Sequence, residues 1–479
     1  MKRPLMCVFI GGKAMEKEDR RKTVILLLAL LFAVCAVAKA EDPVYFADEN
    51  LKAAVEAELG ITDPTPTDML GLTSLTASYS GIADLTGLEY AINLTTFDLG
   101  FNNIIDISAL SGLSSLTHID LYYNNISDIS ALSGLTNLSY LNLNHNGISN
   151  ISSLSGLSNL TQLYLYHNGI SDISALEGLS SLTVLNLQRN NISDISSLSG
   201  LNNLTKLHLD QNNISDITAL SGLDNLEQLD LNENYNISNI SGLSGLSNLR
   251  QLYLGNNNIS DISALSGLTN LGFLYLHYNN ISDVNDLAGL SSLRILYLSY
   301  NNISDITGLA GLNNLRNLYL NRNNISDISA LSGLTSLSGL YLSNNTLNCP
   351  AYDVYIPMIE DNNPGIYLIY DPMPPECLAT PEEMLIQAAE AIENLDPDSL
   401  HNPQSDIPLI NKIYATRQKI EQGDYQDAID KLQNDILAKT DGCANEGQPD
   451  QNDWILDCEA QDNVYPLIIK AIELLEELM

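Results

Sequence analysis

The chain is 479 residues long and carries 58 acidic against 21 basic side chains, a formal net charge of −37. Acidity spread along the whole length repels phosphate backbones and anionic lipid headgroups, so nucleic acid and membrane surfaces are excluded as natural partners and basic ones favoured. Room exists for several domains, and six cysteines with a single Trp454 narrow the class further.

Residues 1–40 read as an export signal. Arg20-Arg21-Lys22 precede an apolar run from Val24 to Val37, and Ala38-Lys39-Ala40 sets small residues two apart, so cleavage is expected after Ala40. The run is shorter than the roughly 20 residues a membrane span needs, and no membrane insertion is expected after cleavage. Met15 is an alternative start, and Val34 stands where lipid attachment at Cys35 would need a small residue. Export leaves Cys349, Cys377, Cys443 and Cys458. Sequence order favours Cys349–Cys377 and Cys443–Cys458 over the two connectivities that would staple separate domains together, and no pair has the two-to-four-residue spacing typical of zinc ligands.

Residues 41–71 read as an N-terminal cap, with a short helix that sets Leu51, Val55 and Leu59 on one face. Residues 72–345 repeat with a period of 22, as in Leu116-Thr117-His118-Ile119-Asp120-Leu121-Tyr122-Tyr123-Asn124-Asn125-Ile126. This is the L-x-x-L-x-L-x-x-N-x-I signature of leucine-rich repeats. The asparagine recurs at 102, 124, 146, 168, 190, 212, 234, 257, 279, 301, 323 and 345; with a degenerate unit at Ser80, thirteen repeats are expected. Alternation around Ile119, Leu141, Leu163 and Leu185 predicts one short strand per repeat, stacked in parallel so that the aliphatic side chains form one continuous core. The asparagine amide is placed to bond backbone groups of its own and the adjacent turn.

A second column holds Asp84, Asp106, Asp128, Asp172, Asp194, Asp216, Asp261, Asp283, Asp305 and Asp327, with Asn150 and Asn239 as substitutes. These side chains can cap the amides of a following helical turn. A row of calcium sites is the other reading, and no second oxygen ligand recurs faithfully to support it. The N-I-S triplets at Asn125, Asn191 and Asn280 match glycosylation acceptors but fall inside the repeat consensus.

Outward strand positions carry the candidate binding residues. The site between the two strand leucines is Asp98, Asp120, Asn142, Tyr164, Asn186, His208 and Asp230, followed by Tyr253, Tyr275, Tyr297, Tyr319 and Tyr341. At about 4.8 Å between strands, those five tyrosines make a stripe roughly 20 Å long. Tyr166 and His167 flank the column in the N-terminal half, and His277, Tyr278 and Tyr300 flank the stripe. Rigid aromatic area with a hydroxyl suits protein interfaces and sugar faces alike; stacking that merely stabilises neighbouring strands is the structural alternative. His145 and His167 share a column but lack a convergent carboxylate or third histidine, so no metal is expected there. One repeat, at Asn234-Tyr235-Asn236-Ile237, is 23 residues long and should bulge near its turn.

These repeats resemble the 22-residue leucine-rich repeats of internalin-type bacterial proteins over roughly 45–350. The I-S-D-I-S-x-L-x-G-L stretch and the cap segment Phe46-Ala47-Asp48-Glu49-Asn50-Leu51 carry the likeness. The resemblance implies an α/β solenoid, a leucine-rich-repeat horseshoe that recognises proteins on its concave strand face. It also implies a bacterial protein, secreted, periplasmic or on the cell surface. No immunoglobulin-like segment or wall-sorting tail is evident, so host-cell adhesion does not follow.

Residues 346–371, with Tyr352, Tyr355, Ile356, Ile359, Ile366 and Ile369, read as a closing cap fastened by Cys349–Cys377. Residues 372–381, opening on Pro372-Met373-Pro374-Pro375, read as a stiff linker. Residues 382–479 predict a small all-α, four-helix domain with helices near 382–395, 405–422, 424–439 and 462–478. Ile410, Ile413 and Ile420 form one apolar face, Ala428, Leu432 and Ile436 another, and Gly423 is the break between. The pattern is similar to the helical modules that end bacterial secreted multidomain proteins.

No nucleophile elbow, phosphate loop or paired catalytic carboxylates emerges, so neither catalysis nor a cofactor is expected. The reading is an exported scaffold that binds a protein partner. Carbohydrate binding by the tyrosine stripe and a structural spacer stay open.

Overall fold

The computed structural model describes residues 41–374, 377, 380–395, 406–437, 455 and 458–479. The segment expected to be an export signal, Cys443 and Trp454 lie outside them. The chain divides into two compact units. One runs to Ile325 and adds Ala330–Asn345 and Ile359–Ile369; the other comprises Ser326–Ser329, Thr346–Met358 and Tyr370–Met479.

The repeat unit opens with α1 (Glu49–Leu59), whose N-cap Asp48 accepts from the amides of Asn50 and Leu51. Leu51 and Val55 are fully buried, while Leu59 stays half-exposed at the end of the helix. Asp48 also accepts the Ala83 amide at 2.7 Å, which ties the helix start to the first repeat. Strands of three residues then recur once per repeat, from β1 (Ser74–Thr76) to β13 (Gly339–Tyr341), with β14 (Tyr367–Ile369) beyond them. All are parallel, in one sheet that keeps sequence order. Pairing is one residue per repeat period, as in Leu274 opposite Leu252 and Leu296. Each strand therefore turns its central aliphatic residue to the same side, and Leu141, Leu163, Leu207, Leu252 and Leu296 are completely buried. No single repeat could shield such a row; stacking does.

Two polar ladders hold the turns. Asn279, 7% exposed, donates to the carbonyls of Leu254 (2.9 Å), Leu276 (3.1 Å) and His277 (3.3 Å), while its Oδ1 accepts the Ile259 amide at 2.9 Å. The other ladder asparagines except Asn257 repeat the pattern, so each of those turns is bonded to its neighbour through one side chain. On the opposite side of each repeat, the Asp or Asn column accepts the amide two residues on at 2.7–2.9 Å and opens a 3-10 turn. Those bonds hold Asp128, Asp172, Asp194, Asp216, Asp261 and Asp305 below the ordinary carboxylate range. The column is structural capping, as its spacing suggested.

The 23-residue repeat breaks one rung. Tyr235 adopts a left-handed φ of 59° and is 63% exposed. Elsewhere the ladder Oδ1 accepts an amide twenty residues earlier, but Asn257 Oδ1 is buried with no donor. The extra residue has shifted the chain that should have met it. Removing Tyr235 should restore the 22-residue register and raise unfolding stability by about 1–2 kcal/mol, read from urea denaturation. A neutral or destabilising deletion would mean that the orphaned oxygen has no energetic weight.

The segment read as a closing cap contains a π turn (Ala351–Tyr355), α2 (Ile356–Asn362) and β14. Ile356 and Ile359 are buried, and the Cys349–Cys377 disulfide is formed. Cys443 lies outside the described residues, so its pairing with Cys458 remains an expectation.

The second unit carries α3 (Pro381–Glu393), α4 (Asp406–Glu421), α5 (Tyr425–Lys431), a π turn over Leu432–Ile436, and α6 (Cys458–Glu477). Thr380 and Glu383 form a reciprocal capping box at the start of α3. Gly423 takes a φ of 73° between α4 and α5, a conformation that suits glycine best. Ile413, Ala428, Leu432 and Ile436 are fully buried together with Leu385, Ile468 and Leu475 in one core. Helix four of the expected set thus begins earlier than its predicted start at 462. Among the described residues, no helix is long and apolar enough to cross a membrane.

Candidate functional site

Because strand residues alternate, the side chains flanking each buried leucine line the other face of the sheet. Four outward columns result, and the aromatic residues in them form two fields.

In the C-terminal field, strand register sets Tyr253, Tyr275, Tyr297, Tyr319 and Tyr341 side by side. Their ring centroids are 4.7, 4.4, 3.9 and 4.2 Å apart, and the rings of the last two contacts are stacked nearly parallel. Each ring covers its neighbour's face, so ring edges and hydroxyls are what the stripe can offer a partner. Burial raises the hydroxyls of Tyr253, Tyr275, Tyr319 and Tyr341 above the ordinary phenol range, which keeps them protonated donors. His277 sits edge-on to Tyr275 and Tyr297 at 6.4 and 6.2 Å. Its ring lies over Gly255, where a Cβ would come within 2.2 Å of it. Tyr278 and Tyr300 stack at 3.9 Å, and the Arg322 guanidinium lies 4.9 Å from the Tyr300 ring centre.

The N-terminal field is larger than the spacing of strand leucines suggested. Tyr164 and Tyr166 belong to it, packed against Tyr140 at 5.5 Å and His145 at 4.6 Å. Tyr79, Phe101, Tyr123 and His145 form a second stack, with centroids 4.2, 4.5 and 3.9 Å apart. Tyr122 lies over Gly100 much as His277 covers Gly255. Of this stack, His145 alone was singled out from sequence, as the neighbour of His167, and Tyr79, Phe101 and Tyr123 were missed. The stack occupies the position just before the ladder asparagine, which is left-handed in every repeat, from Tyr79 (φ 58°) and Phe101 (φ 53°) to Arg322 (φ 59°) and Asn344 (φ 58°). Such a backbone costs a non-glycine residue about 1–2 kcal/mol, so bulky rings there need compensation. Stacking across repeats supplies part of it. Reading that one column down the 22-residue lattice would have revealed the stack.

His145 and His167 meet at 2.8 Å between Nδ1 atoms, as a histidine–histidine hydrogen bond. Burial, then the charges of His167 and Arg189, lower the pKa of His145.

Between the fields the face turns polar. His208 and Asp230 lie opposite one another on β7 (Lys206–His208) and β8 (Gln228–Asp230), and Asp210 follows two residues after His208. Burial, reinforced by the charges of Asp230 and Glu233, pushes Asp210 up to about 7; burial and Glu233 push Asp230 up to about 6. His208 is lowered by burial and then by Lys206.

A parallel sheet built from 22-residue units, tied by asparagine ladders and faced with aromatic columns, defines a leucine-rich-repeat protein. The two-copy leucine-rich-repeat family model matches in overlapping windows from residues 136–178 to 291–333, and a second leucine-rich-repeat model matches 92–148. An internalin, inlF, from Listeria monocytogenes str. 4b F2365 is 33% identical, with 71% of this chain and 100% of that one covered and a TM-score of 0.65. The chain belongs to the internalin-type leucine-rich-repeat family. More distant in sequence are a TDR receptor (25% identity, 59% of this chain and 53% of that one, TM-score 0.53) and the PEPR1–AtPEP1 structure (27%, 55% and 40%, TM-score 0.50). Among curated proteins none matches. Leucine-rich-repeat proteins generally mediate protein–protein interaction, and the scaffold is typically non-enzymatic.

Proposed function

We propose that this chain is an exported, non-catalytic scaffold that captures a protein partner on the exposed face of its repeat sheet, centred on Tyr253, Tyr275, Tyr297, Tyr319 and Tyr341. The observation that carries this reading is the register-matched stripe itself. Five half-exposed rings are held at fixed spacing by the backbone, so little side-chain entropy is lost on contact. Tyr164, Tyr166, His167, His277, Tyr278 and Tyr300 extend the contact area. With a net charge of −37, the surface favours a partner with a basic face. Export is supported by the basic-then-apolar N-terminus and by the Cys349–Cys377 bridge, since disulfides persist in oxidising compartments.

The mutual stacking of the rings bears on the carbohydrate alternative. A sugar stacks on an open aromatic face, and these faces are already covered by neighbouring tyrosines. Edges and hydroxyls suit a protein surface better.

The test is a triple Tyr275→Ala, Tyr297→Ala, Tyr319→Ala variant used beside the native chain to capture partners from its own surroundings. Capture should fall at least about tenfold with the circular dichroism spectrum unchanged, the loss expected when interface anchors are truncated. Equal capture by both chains would remove the stripe from the binding site.

A further inference from the structure

Three potential ligands converge at the polar break between the aromatic fields. A ring nitrogen of His208 and one carboxylate oxygen each from Asp210 and Asp230 lie within 4.8 Å of one another. Residues 208 and 210 share a face by strand alternation, and residue 230 is the register partner of 208 on the next strand, so the backbone presents all three to one point. His208 and Asp230 sit on adjacent strands, and Asp210 lies two residues past the end of β7, where the chain enters the turn.

A second observation concerns the state of Asp210. The residue is 5% exposed, and its Oδ2 accepts the Gln188 amide. Its Oδ1 is buried and has no hydrogen-bond partner among the described residues. A carboxylate oxygen withdrawn from water without a donor is costly, and such groups in proteins are paired or bound to metals. Asp230 Oδ1 accepts only one amide, from Asn232 at 3.0 Å. A buried and a half-buried carboxyl group thus face the same point as the His208 ring.

We propose that His208, Asp210 and Asp230 form a binding site for one divalent transition-metal ion, with zinc the best match. The donor set decides the class. Calcium and magnesium take oxygen ligands in larger number, whereas an imidazole nitrogen beside two carboxylates suits zinc and its neighbours. Zinc commonly takes three protein ligands and leaves a fourth position for water or an outside ligand. Tetrahedral ligands at the usual distances lie about 3.4 Å apart, so donors within 4.8 Å of one another need to close by up to about 1.4 Å, within reach of side-chain rotation. Neither rival cluster has these properties. His145 and His167 are only two and already bond each other, and each capping aspartate has its Oδ1 committed to an amide. The site stands independently of what the tyrosine stripe captures.

The test uses the full chain after exposure to a chelator and exchange into chelator-free buffer, titrated with zinc chloride by calorimetry. One ion per chain should bind, and the unfolding temperature should rise with zinc concentration. His208→Ala and Asp230→Asn should each weaken binding by about tenfold or more, whereas a His145→Ala, His167→Ala double variant should not change it. Cobalt in place of zinc should give visible absorption bands that vanish in Asp230→Asn; this readout holds even if His208→Ala folds poorly. Failure of the native chain to saturate below about 1 mM zinc overturns the proposal. So does binding that survives both site variants, or saturation by calcium with zinc inert.

Discussion

Replacing Asn279 with alanine should lower unfolding stability by about 1–3 kcal/mol, while the same change at the adjacent Asn280 should cost under about 0.5 kcal/mol. The two residues share a tripeptide but not a role. The amide of Asn279 fixes four backbone groups belonging to two repeats, in a position only 7% exposed. Alanine leaves the Ile259 amide buried without a partner, which costs about 1–3 kcal/mol, while the carbonyls of Leu254, Leu276 and His277 each lose one of two donors and keep Asn257, Asn301 and the Asn256 amide. Asn280 is exposed, and its side chain reaches only the Asn258 side chain, at 2.6 Å. A second effect follows from the geometry of a stack. Stability in a repeat array is a sum of unit terms and nearest-neighbour terms, so one weak joint can separate the array into two unfolding blocks. Urea denaturation followed by far-ultraviolet circular dichroism should show a lower midpoint or a second transition for Asn279→Ala. Equal curves for the two variants would refute the ladder as the joint between repeats.

That contrast explains why so much of this fold is legible from one sequence. A 22-residue lattice converts sequence position directly into spatial position, so any column read down the chain is a row on the surface. The tyrosine stripe, the capping aspartates and the asparagine ladder are all columns, and all stand where the spacing put them. What escaped was information that periodicity does not carry. The left-handed backbone before each asparagine has no hydrophobic signature, so Tyr79, Phe101 and Tyr123 stayed hidden, although His145, His167, Tyr278 and Tyr300 of the same column were read. The broken rung at Asn257 was half visible. One extra residue at Tyr235 announced a bulge, but which bond it would sever depends on register in three dimensions. The convergence at His208 is the most instructive case. His208 and Asp230 were read as one column, yet Asp210 belongs to the next, and only burial shows that its carboxyl is short of donors. In the helical unit the signal was amphipathic period alone. It placed the helices and their buried faces, but no column of repeated residues existed to mark a site.

Asp210→Asn should stabilise the metal-free chain at pH 8 and do little at pH 4. In the native state the Asp210 carboxyl is pushed up to about 7 from an ordinary value of 3.8. The causes are burial first, then the charge of Asp230; the residue's own amide and the Gln188 side chain oppose them, and Glu233 adds to the rise. The sign follows from proton binding. Between about pH 4 and pH 7 the folded chain holds a proton that the unfolded chain releases, so acid favours the fold through this group. That contribution is complete below pH 3.8 and is lost as the pH rises through 7, where the native protein must carry a buried, poorly solvated charge. Three units of displacement set a ceiling of about 4 kcal/mol, and relaxation with water entry reduces the realised effect to roughly 2 kcal/mol. Asparagine keeps the shape and cannot ionise, so the variant's advantage should grow from near zero at pH 4 to that plateau above pH 7. Asp230→Asn should show the same trend at a smaller size, its carboxyl being raised only to about 6. The measurement is urea stability across pH 4–8 with a chelator present, so that a bound ion does not supply the missing positive charge. A variant that is destabilised equally at every pH would show that Asp210 acts through its hydrogen bond to Gln188 and not through a penalised charge.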